Sequence, residues 1–338
     1  MPDNFKKTSA GNNLSRVPKP WKGSGEYSKL VTPTTIQPPE TSADDPRLGQ
    51  LLGTSLNEQE QPKLVIIGFP SDEGVKRNGG RPGAVYGPDE IRRELYKLTP
   101  HPEHFPAFKK LLGKSHDLGN VKITGNVEED QQNLGHVLSP YLETGALPII
   151  LGGGHETAFG HFLGYAFAKI PSHIFNLDAH TDVRPIKNGQ AHSGSPFRQA
   201  LEYPGNFCKS YLVAGLNPSS VAESHLDYIQ KRGGKTFYRK EASPEFIMKE
   251  LRKLQPSKLM TTFDLDAVDQ AFAPGVSAPA ANGLSSLTWL TVAYEMGKFP
   301  QTTSFDIVEL NPRFDRDRQT AKLAALTIWH FLLGVIQR

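Results

Sequence analysis

The 338-residue chain contains little cysteine and no long hydrophobic run. Its one cysteine, Cys208, cannot form an intramolecular disulfide, which favours an intracellular protein. The first residues lack the apolar stretch of a secretory signal. The most apolar segment, residues 323–336, is interrupted by Thr327 and His330, whereas a membrane helix needs roughly 20 apolar residues. We therefore expect a core-packing C-terminal helix, a cytoplasmic location and no membrane partner.

Several common functional motifs are also absent. The GKS at 113–115 resembles the end of a phosphate-binding loop, but Phe108 occupies the position of the first glycine. No GxGxxG follows a predicted strand, and no GxSxG supplies a serine nucleophile. The net charge is only +3, and residues 1–30 hold six basic and two acidic residues. The rest of the chain is therefore close to neutral, and nucleic acid is not an expected partner.

From residue 63 onward, short apolar segments alternate with helical patterns. Strands are predicted at 63–70, 116–121, 146–151, 173–177, 210–216, 235–239, 259–265 and 304–310. Helices are predicted at 87–98, 128–144, 156–169, 219–232, 243–255, 286–298 and 319–336. This alternation predicts an α/β fold with a mainly parallel sheet covered on both faces. A closed eight-fold barrel is the alternative. We expect residues 1–60 to form an extended N-terminal arm and residues 61–338 a single catalytic domain.

Acidic residues and histidines concentrate where three predicted strands end. The segments are LGGGHE at 151–156, NLDAHTDVR at 176–184 and TFDLDAVD at 262–269. In open parallel sheets, ligands bind beyond the carboxyl ends of the strands. Side chains two residues apart in an extended chain point to one side, as for Asp178, His180 and Asp182, and again for Asp264 and Asp266. Because burying these groups is costly, a cation is the simplest compensation.

Together with His155, these residues supply two imidazoles and four carboxylates. Four negative charges match two divalent ions. Oxygen and nitrogen donors without thiolate suit Mn²⁺, with Mg²⁺, Ni²⁺, Co²⁺ or a catalytic zinc less favoured. The alternative is that each aspartate merely caps a strand end or a turn. Two metals close together activate water at neutral pH, which implies hydrolysis at an electrophilic carbon or phosphorus.

The motifs GGGHE, DAHTD and DLDAVD resemble those of the ureohydrolase superfamily, which includes arginases and agmatinases, over roughly residues 60–338. Within it, the formimidoylglutamase branch is most similar, on segments 74–88, 191–201 and 272–285. Arginases and agmatinases more often carry Asp in place of Gly154 and Ser in place of Glu156. The resemblance implies an open three-layer α/β/α arginase-like fold with a mainly parallel eight-stranded sheet. It also implies a homo-oligomer, either a trimer or a hexamer.

The resemblance also assigns roles to the residues. Two Mn²⁺ ions would share Asp178 and Asp264; one would also bind His155 and Asp182, and the other His180 and Asp266. His192 would be the proton shuttle, Asp182 would relay a proton, and Glu309 would hold the amidine nitrogen. The expected reaction is hydrolysis of N-formimino-L-glutamate to L-glutamate and formamide, in histidine degradation. The alternative is an amidinohydrolase that releases urea from a guanidino acid, arginine or agmatine.

A small molecule with two carboxylates requires cationic or hydrogen-bonding partners, and arginine binds a carboxylate in bidentate fashion. The candidates for substrate binding are Arg184, Arg198, Ser195, Asn78 and Arg81. For each arginine the alternative is a structural salt bridge. The other histidines, His161 and His225 among them, lack metal-binding spacing and are interpreted as surface or core residues. A catalytically silent binding or regulatory subunit would require lost ligands, and all six positions hold competent side chains.

Overall fold

The computed structural model describes residues 29–53 and 61–338. Within these ranges, nine strands form one sheet. The strands are β1 Val31–Thr32, β2 Leu64–Phe69, β3 Ser115–Val121, β4 Leu147–Gly152, β5 Ser172–Leu177, β6 Cys208–Leu216, β7 Lys235–Tyr238, β8 Leu259–Asp264 and β9 Thr302–Val308. The predicted arm falls partly on residues 1–28 and 54–60, which lie outside the described residues.

The described helices are α1 Leu48–Leu51, α2 Glu73–Arg77, α3 Gly87–Lys97, α4 Phe105–Leu112, α5 Val127–Thr144, α6 Thr157–Phe167, α7 Pro196–Glu202, α8 Glu223–Lys231, α9 Pro244–Leu254, α10 Ser286–Lys298 and α11 Gln319–Val335. The seven predicted helices all form. Helices α1, α2, α4 and α7 were not predicted, because each has eight residues or fewer, and α4 and α7 also have proline at one of their first two positions. None of the described helices is both long and apolar enough to cross a membrane.

The strand order is β1-β3-β2-β4-β9-β8-β5-β6-β7. Strand β1 is antiparallel to β3, and every other neighbouring pair is parallel. The prediction of an open, mainly parallel α/β sheet is therefore confirmed. The barrel alternative is wrong, because β1 and β7 are free edges of the sheet within the described part of the chain.

Strands β2 and β4 are apolar along their whole length because helices cover both faces of the sheet. Every residue of β2 and β4 is buried. Side chains of β2 alternate between two cores: Leu64 and Ile66 pack in one, and Val65 and Ile67 in the other. Helices α3, α9, α10 and α11 contribute to the first core and α5, α6, α7 and α8 to the second. The two cores lie on opposite faces of the sheet, so helices, sheet and helices form the three layers of the predicted α/β/α arrangement.

The ninth strand comes from the segment predicted to be an extended arm. Val31 pairs with Val121 at the edge of the sheet. The chain comes so close here that a Cβ at Gly119 would lie 2.0 Å from the carbonyl oxygen of Thr32. The expected count of eight strands is therefore corrected to nine. A two-residue strand has too short a pattern to be recognised in a sequence.

Candidate metal centre

The three acidic segments and Glu309 meet at the carboxyl ends of four neighbouring strands. These strands, β4, β9, β8 and β5, are consecutive in the sheet. The register pairs Leu177 with Phe263, so the next residues, Asp178 and Asp264, lie level with each other. Asp264 in turn pairs with Val308, the residue before Glu309. Parallel pairing therefore gathers residues that lie far apart in the sequence.

Two groups of candidate ligands result. The first consists of His155, Asp178, Asp182 and Asp264, and the second of Asp178, His180 and Asp266; within each group the donor atoms lie within 4.8 Å of one another. Around His155 Nδ1, oxygens of Asp178, Asp182 and Asp264 lie at 3.3, 3.0 and 3.0 Å, respectively. His180 Nδ1 lies 3.2 Å from Asp266 Oδ2. These groups contain all six residues predicted to bind metal.

Local hydrogen bonds fix the two aspartates shared between the predicted ions. Asp178 Oδ1 accepts a 2.7 Å hydrogen bond from the backbone N–H of His180. Asp264 Oδ1 accepts a 2.9 Å bond from the backbone N–H of Asp266. The Asn176 amide donates to Asp178 Oδ2 at 2.9 Å. Each aspartate thus stabilises the turn that presents the ligand two residues later.

The tautomer of His155 tests whether a cation fits here. The Thr262 hydroxyl donates its proton to Asp306 at 2.5 Å, so it can only accept from His155 Nε2, which lies 3.1 Å away. In the neutral ring, Nδ1 is then the nitrogen without a proton. It is buried, makes no hydrogen bond of acceptable geometry within the described residues, and faces three carboxylates. A lone pair among carboxylate oxygens is repulsive unless a cation lies between them, so the donor set fits a divalent ion.

The spacing and type of the donor atoms agree with that conclusion. Donors that are neighbours around an octahedral cation at about 2.1 Å lie roughly 3 Å apart, and three oxygens lie 3.0–3.3 Å from His155 Nδ1. In the second group, Asp266 Oδ1 is buried without a hydrogen-bond partner among the described residues. Imidazole and carboxylate donors without sulfur suit Mn²⁺ and related hard or borderline ions.

The pKa values of the aspartates in the two groups reflect the close packing of negative charge. Burial and the charges of Asp266 and Asp178 raise the pKa of Asp264 well above its usual value. Burial also raises the pKa of Asp266, to about 6. For Asp178, contacts with His155 and His180 outweigh burial and lower the pKa. Without cations, protons must therefore occupy part of this cluster.

Glu309 closes the site from the end of β9. Its backbone N–H donates to the Gly153 carbonyl at 2.7 Å, and its Oε1 accepts from the backbone N–H of His155 at 2.7 Å. Its φ of 69° lies in the left-handed region, as does the φ of 46° at Asp182. Such conformations persist in non-glycine residues where the surrounding contacts impose them. Burial, with the charges of Asp264 and Glu156, raises the pKa of Glu309.

His192 is buried, and both of its ring nitrogens have partners. Nε2 lies 3.0 Å from the carbonyl oxygen of Pro185, and Nδ1 accepts a 3.2 Å hydrogen bond from the backbone N–H of Gly194. Burial lowers the pKa of His192 below its usual value. These contacts favour a role in holding the loop from Pro185 to Gly194. Its assignment as a proton shuttle stays a prediction.

Arg184 and Asn78 lie together at the exposed side of the site. Arg184 Nη1 donates to Asn78 Oδ1 at 3.1 Å, and Asn78 Nδ2 donates to Ser193 Oγ at 3.2 Å. This is the one hydrogen bond of the Arg184 side chain within the described residues. Most of its guanidinium donors are therefore free for a ligand.

Arg198 and Ser195 are held by contacts within the protein. Arg198 Nε donates to the Val183 carbonyl at 2.8 Å, and its guanidinium lies 3.9 Å from the centre of the Tyr228 ring. Ser195 Oγ accepts from the backbone N–H of His192 at 3.0 Å and is buried. The contacts of both residues favour a structural role, and their binding of substrate stays a prediction.

Arg81 is likewise held by contacts within the protein. Its Nε donates to the Ser277 carbonyl at 2.9 Å, and Nη2 donates to the Val276 carbonyl at 2.6 Å. The guanidinium also lies 3.8 Å from the centre of the Phe314 ring. Arg81 therefore joins two loops, and its predicted contact with substrate is untested.

The Arginase family model matches residues 62–334. This chain belongs to the arginase family. It is 35% identical over 277 residues to the formimidoylglutamase of Salmonella newport, covering 80% of this chain and 85% of that protein. It is also 35% identical over 330 residues to the formimidoylglutamase of Rhodococcus opacus, covering 93% of this chain and 94% of that protein. The structure of Trypanosoma cruzi formiminoglutamase with two Mn²⁺ ions is similar with a TM-score of 0.80, at 32% identity, covering 87% and 100% of the two chains.

These comparisons confirm the resemblance and the arginase-like fold. The glycine-rich motif of this arginase-family chain also depends on its own packing. Glu156 is fully buried, and its Oε1 accepts from the backbone N–H of Gly74 at 2.8 Å. A Cβ at Gly154 would lie 2.2 Å from Glu156 Oε2. The Glu156 side chain therefore requires glycine at 154, so the residues at these two positions depend on each other.

Sequence reasoning missed several residues behind and beside the metal centre. Thr262 and Asp306 support His155. A signal for Asp306 was available in the sequence, because it is a charged residue between the apolar strand residues Phe305 and Ile307. His161, interpreted as a surface or core residue, is buried and contacts Asp306 Oδ2 at 2.6 Å. His225 lies 3.4 Å from Thr181 Oγ1, beside the ligand segment, and nothing in its spacing indicated this position.

Proposed function

We propose that this arginase-family hydrolase is a formimidoylglutamase, which cleaves the C–N bond of N-formimino-L-glutamate to give L-glutamate and formamide. The observation that carries the proposal is its 35% identity to a formimidoylglutamase over 93% of the chain. The convergence of the candidate ligands at one edge of the sheet supports it, because divalent ions held by such donors activate water for hydrolysis. The substrate is a small molecule, and the pathway is histidine degradation.

Two Mn²⁺ ions are the proposed cofactors. His155, Asp178, Asp182 and Asp264 would hold one, and Asp178, His180, Asp264 and Asp266 the other. The donor set supports this assignment, as does the similarity to a formiminoglutamase with two Mn²⁺ ions. When bound, such cations act as Lewis acids and activate water for attack at neutral pH.

The protein's own residues would orient the substrate and move protons. Oε1 of Glu309 is occupied by the backbone N–H of His155, which leaves its second oxygen to hold the cationic formimino nitrogen. The Asp182 side chain is 12% exposed, more than those of the neighbouring Asp178 and Asp264. It is therefore the ligand best placed to pass a proton to the departing amine.

The free guanidinium donors of Arg184 support a dicarboxylate substrate. Formiminoglutamate has two carboxylates, whereas arginine has one and agmatine none. Arg184 would bind one of them in bidentate fashion, with its side chain held by Asn78. An arginine in this place would repel the cationic tail of agmatine.

We also propose that the chain forms a homo-oligomer, a trimer or a hexamer, in the cytoplasm. A single cysteine, and so no intramolecular disulfide, supports the location. Membership of the arginase family supports the assembly. Native mass spectrometry of the purified protein would give the subunit number directly, and a monomer at micromolar concentration would contradict this part of the proposal.

The decisive assay uses the purified protein with Mn²⁺ and four substrates side by side: N-formimino-L-glutamate, arginine, agmatine and 4-guanidinobutyrate. Formamide and urea are measured separately, with a chelator-treated sample beside each reaction. We expect formamide from the first substrate alone, lost on chelation and in Asp264→Asn. Urea from a guanidino substrate would instead support the amidinohydrolase alternative. Absence of all activity with Mn²⁺ bound would contradict both.

A further inference from the structure

A chain of buried hydrogen bonds lies behind His155, on the side away from the carboxylates. His155 Nε2 lies 3.1 Å from Thr262 Oγ1. The Thr262 hydroxyl donates to Asp306 Oδ1 at 2.5 Å. Asp306 Oδ2 lies 2.6 Å from His161 Nδ1. The chain therefore connects a predicted metal ligand to a buried histidine on helix α6.

The chain of hydrogen bonds continues on the far side of His161. His161 Nε2 lies 2.5 Å from Ser304 Oγ, which lies 2.6 Å from the Tyr165 hydroxyl. Thr262, Asp306, His161 and Ser304 are all 0% exposed. A carboxylate on a central strand and an imidazole on the helix packed against it are costly to bury, and apolar residues would fill the same volume without that cost. Packing alone therefore does not account for this network.

The donor and acceptor roles along the network show which nitrogen of His155 carries a proton. Asp306 accepts a hydrogen bond from the Thr262 hydroxyl on one oxygen and from His161 Nδ1–H on the other. Thr262 has only one hydroxyl proton, and it must therefore accept from His155 Nε2. That arrangement requires a proton on Nε2, so in the neutral ring Nδ1 is the nitrogen left without one and available to a metal ion.

The carboxylates on the other side of His155 favour the opposite tautomer. Three carboxylate oxygens within 3.0–3.3 Å of Nδ1 would attract a proton to that nitrogen. Without Asp306, the Thr262 hydroxyl would be free to donate to Nε2, and Nδ1 would carry the proton. A protonated Nδ1 cannot bind a metal ion. The two environments of His155 thus compete for its proton.

We propose that Asp306, supported by His161, is a positioning residue that holds His155 in its metal-binding tautomer. The inference rests on the proposed two-ion centre. It predicts that the two ions are affected differently, because the hydrogen-bond chain reaches only the group formed by His155, Asp178, Asp182 and Asp264. The group that contains His180 and Asp266 does not contact Thr262 or Asp306 through any described hydrogen bond.

The experiment measures Mn²⁺ binding to the full-length protein, stripped with a chelator, in the absence of substrate. The electron paramagnetic resonance signal of free Mn²⁺ gives the number of bound ions and their dissociation constants. In Asp306→Asn we expect one ion to bind roughly 10–100-fold more weakly, the usual effect of losing such a support. The other ion should change by less than about twofold. Thr262→Val should match Asp306→Asn, whereas Thr262→Ser should bind both ions as the wild type does.

Tyr165→Phe is the matched control, since it deletes a buried hydroxyl of the same network without touching Asp306. It should leave both dissociation constants within about twofold of the wild type. Circular dichroism checks that each variant is folded, and Thr262→Val, being nearly isosteric, covers the case in which Asp306→Asn does not fold. Unchanged binding in Asp306→Asn or Thr262→Val, or equal weakening of both ions, would overturn the inference. A wild-type protein that binds no Mn²⁺ would refute the proposed cofactor, and this inference with it.

Discussion

At the scale of single residues, the candidate metal centre concentrates groups that are unfavourable in isolation. Asp182 and Glu309 have positive φ values of 46° and 69°, each costing on the order of 1–3 kcal/mol for a non-glycine residue. His155 Nδ1 and Asp266 Oδ1 are buried without hydrogen-bond partners among the described residues. Such costs concentrate at functional sites, where a ligand offsets them.

The raised pKa of Asp266 predicts how stability depends on pH. Burial and the charges of Asp178 and Glu309 raise this pKa from 3.8 to about 6, although His180 opposes the shift. The stability contributed by a carboxyl with a raised pKa is complete below 3.8 and is lost as the pH rises through about 6. Without metal, we therefore expect the protein to lose stability as the pH rises over that range.

Mn²⁺ should reverse this loss, because it neutralises the ionised cluster. We expect the gain in Tm on adding Mn²⁺ to increase from about pH 5 to about pH 7, measured by differential scanning calorimetry. Asp266→Asn, which cannot ionise at this position, should show a smaller loss without metal. A gain in Tm that is the same at every pH would contradict the prediction.

Arg184 gives a prediction about substrate recognition. If it binds a substrate carboxylate, Arg184→Ala should raise KM for formiminoglutamate by roughly 10–100-fold, the usual strength of a charge-assisted contact, with a much smaller effect on kcat. Steady-state kinetics would measure both constants. Lys187→Ala, a neighbouring exposed cation in the same loop, serves as the control. An unchanged KM would remove Arg184 from the substrate site.

At the scale of helices and strands, local signals determined where many elements begin. Asn126 caps the N-terminus of helix α5, and its side chain accepts a hydrogen bond from the backbone N–H of Glu129 at 3.0 Å. Ser243 and Ser285 cap α9 and α10 in the same way. Because these caps are encoded within a few residues, the predicted helix boundaries lie close to those of the structure. The packing of one helix on another has no such local signal.

Helices α10 and α11 approach each other through two glycines. A Cβ at Gly334 would lie 2.2 Å from the Tyr294 carbonyl oxygen, and one at Gly297 would lie 2.0 Å from the Phe331 carbonyl oxygen. Gly334→Ala must therefore push the helices apart, and we expect it to destabilise the protein by about 1–3 kcal/mol.

Urea denaturation with and without Mn²⁺ would measure that change in the free energy of unfolding. Leu326→Ala is the matched control on the same helix, at a residue that is 36% exposed. It should change stability by less than about 1 kcal/mol. If Gly334→Ala were as stable as the control, the close contact between the helices would not be important for stability.

At the scale of the whole molecule, residues 29–53 precede the predicted catalytic domain in the sequence but pack against it in the structure. Leu48 and Leu52 are 1% and 7% exposed and belong to the same core as strand β2 and helix α3. Strand β1 extends the sheet beside β3. This part of the chain therefore contributes both apolar burial and an edge strand.

Leu48→Ala tests that contribution. We expect it to reduce the free energy of unfolding by about 2–5 kcal/mol, the usual effect of removing a buried leucine side chain. Chemical denaturation followed by circular dichroism would measure it, with Glu40→Ala at an exposed position of the same segment as the control. Equal stability of the two variants would mean that the segment packs only loosely on the body.

The sequence by itself determined the α/β class, the order of seven helices and eight of the strands, and the six candidate metal ligands. Their signals are local: apolar runs buried on both faces of a sheet, helix caps, and acidic residues two positions apart after a strand. It could not separate an open sheet from a barrel, because the same alternation of elements builds both. The register that places Asp178 beside Asp264 became visible only when strands β5 and β8 paired.

Only the tertiary structure decided which charged side chains are free. Arg184, Arg198 and Arg81 have the same chemistry in the sequence, but two of them are held by backbone carbonyls and aromatic rings while Arg184 keeps most of its donors available. The support of His155 by Asp306 likewise joins residues 151 positions apart in the chain through Thr262. A residue's type is a local property, whereas its hydrogen-bond partners depend on segments that meet only in the folded chain.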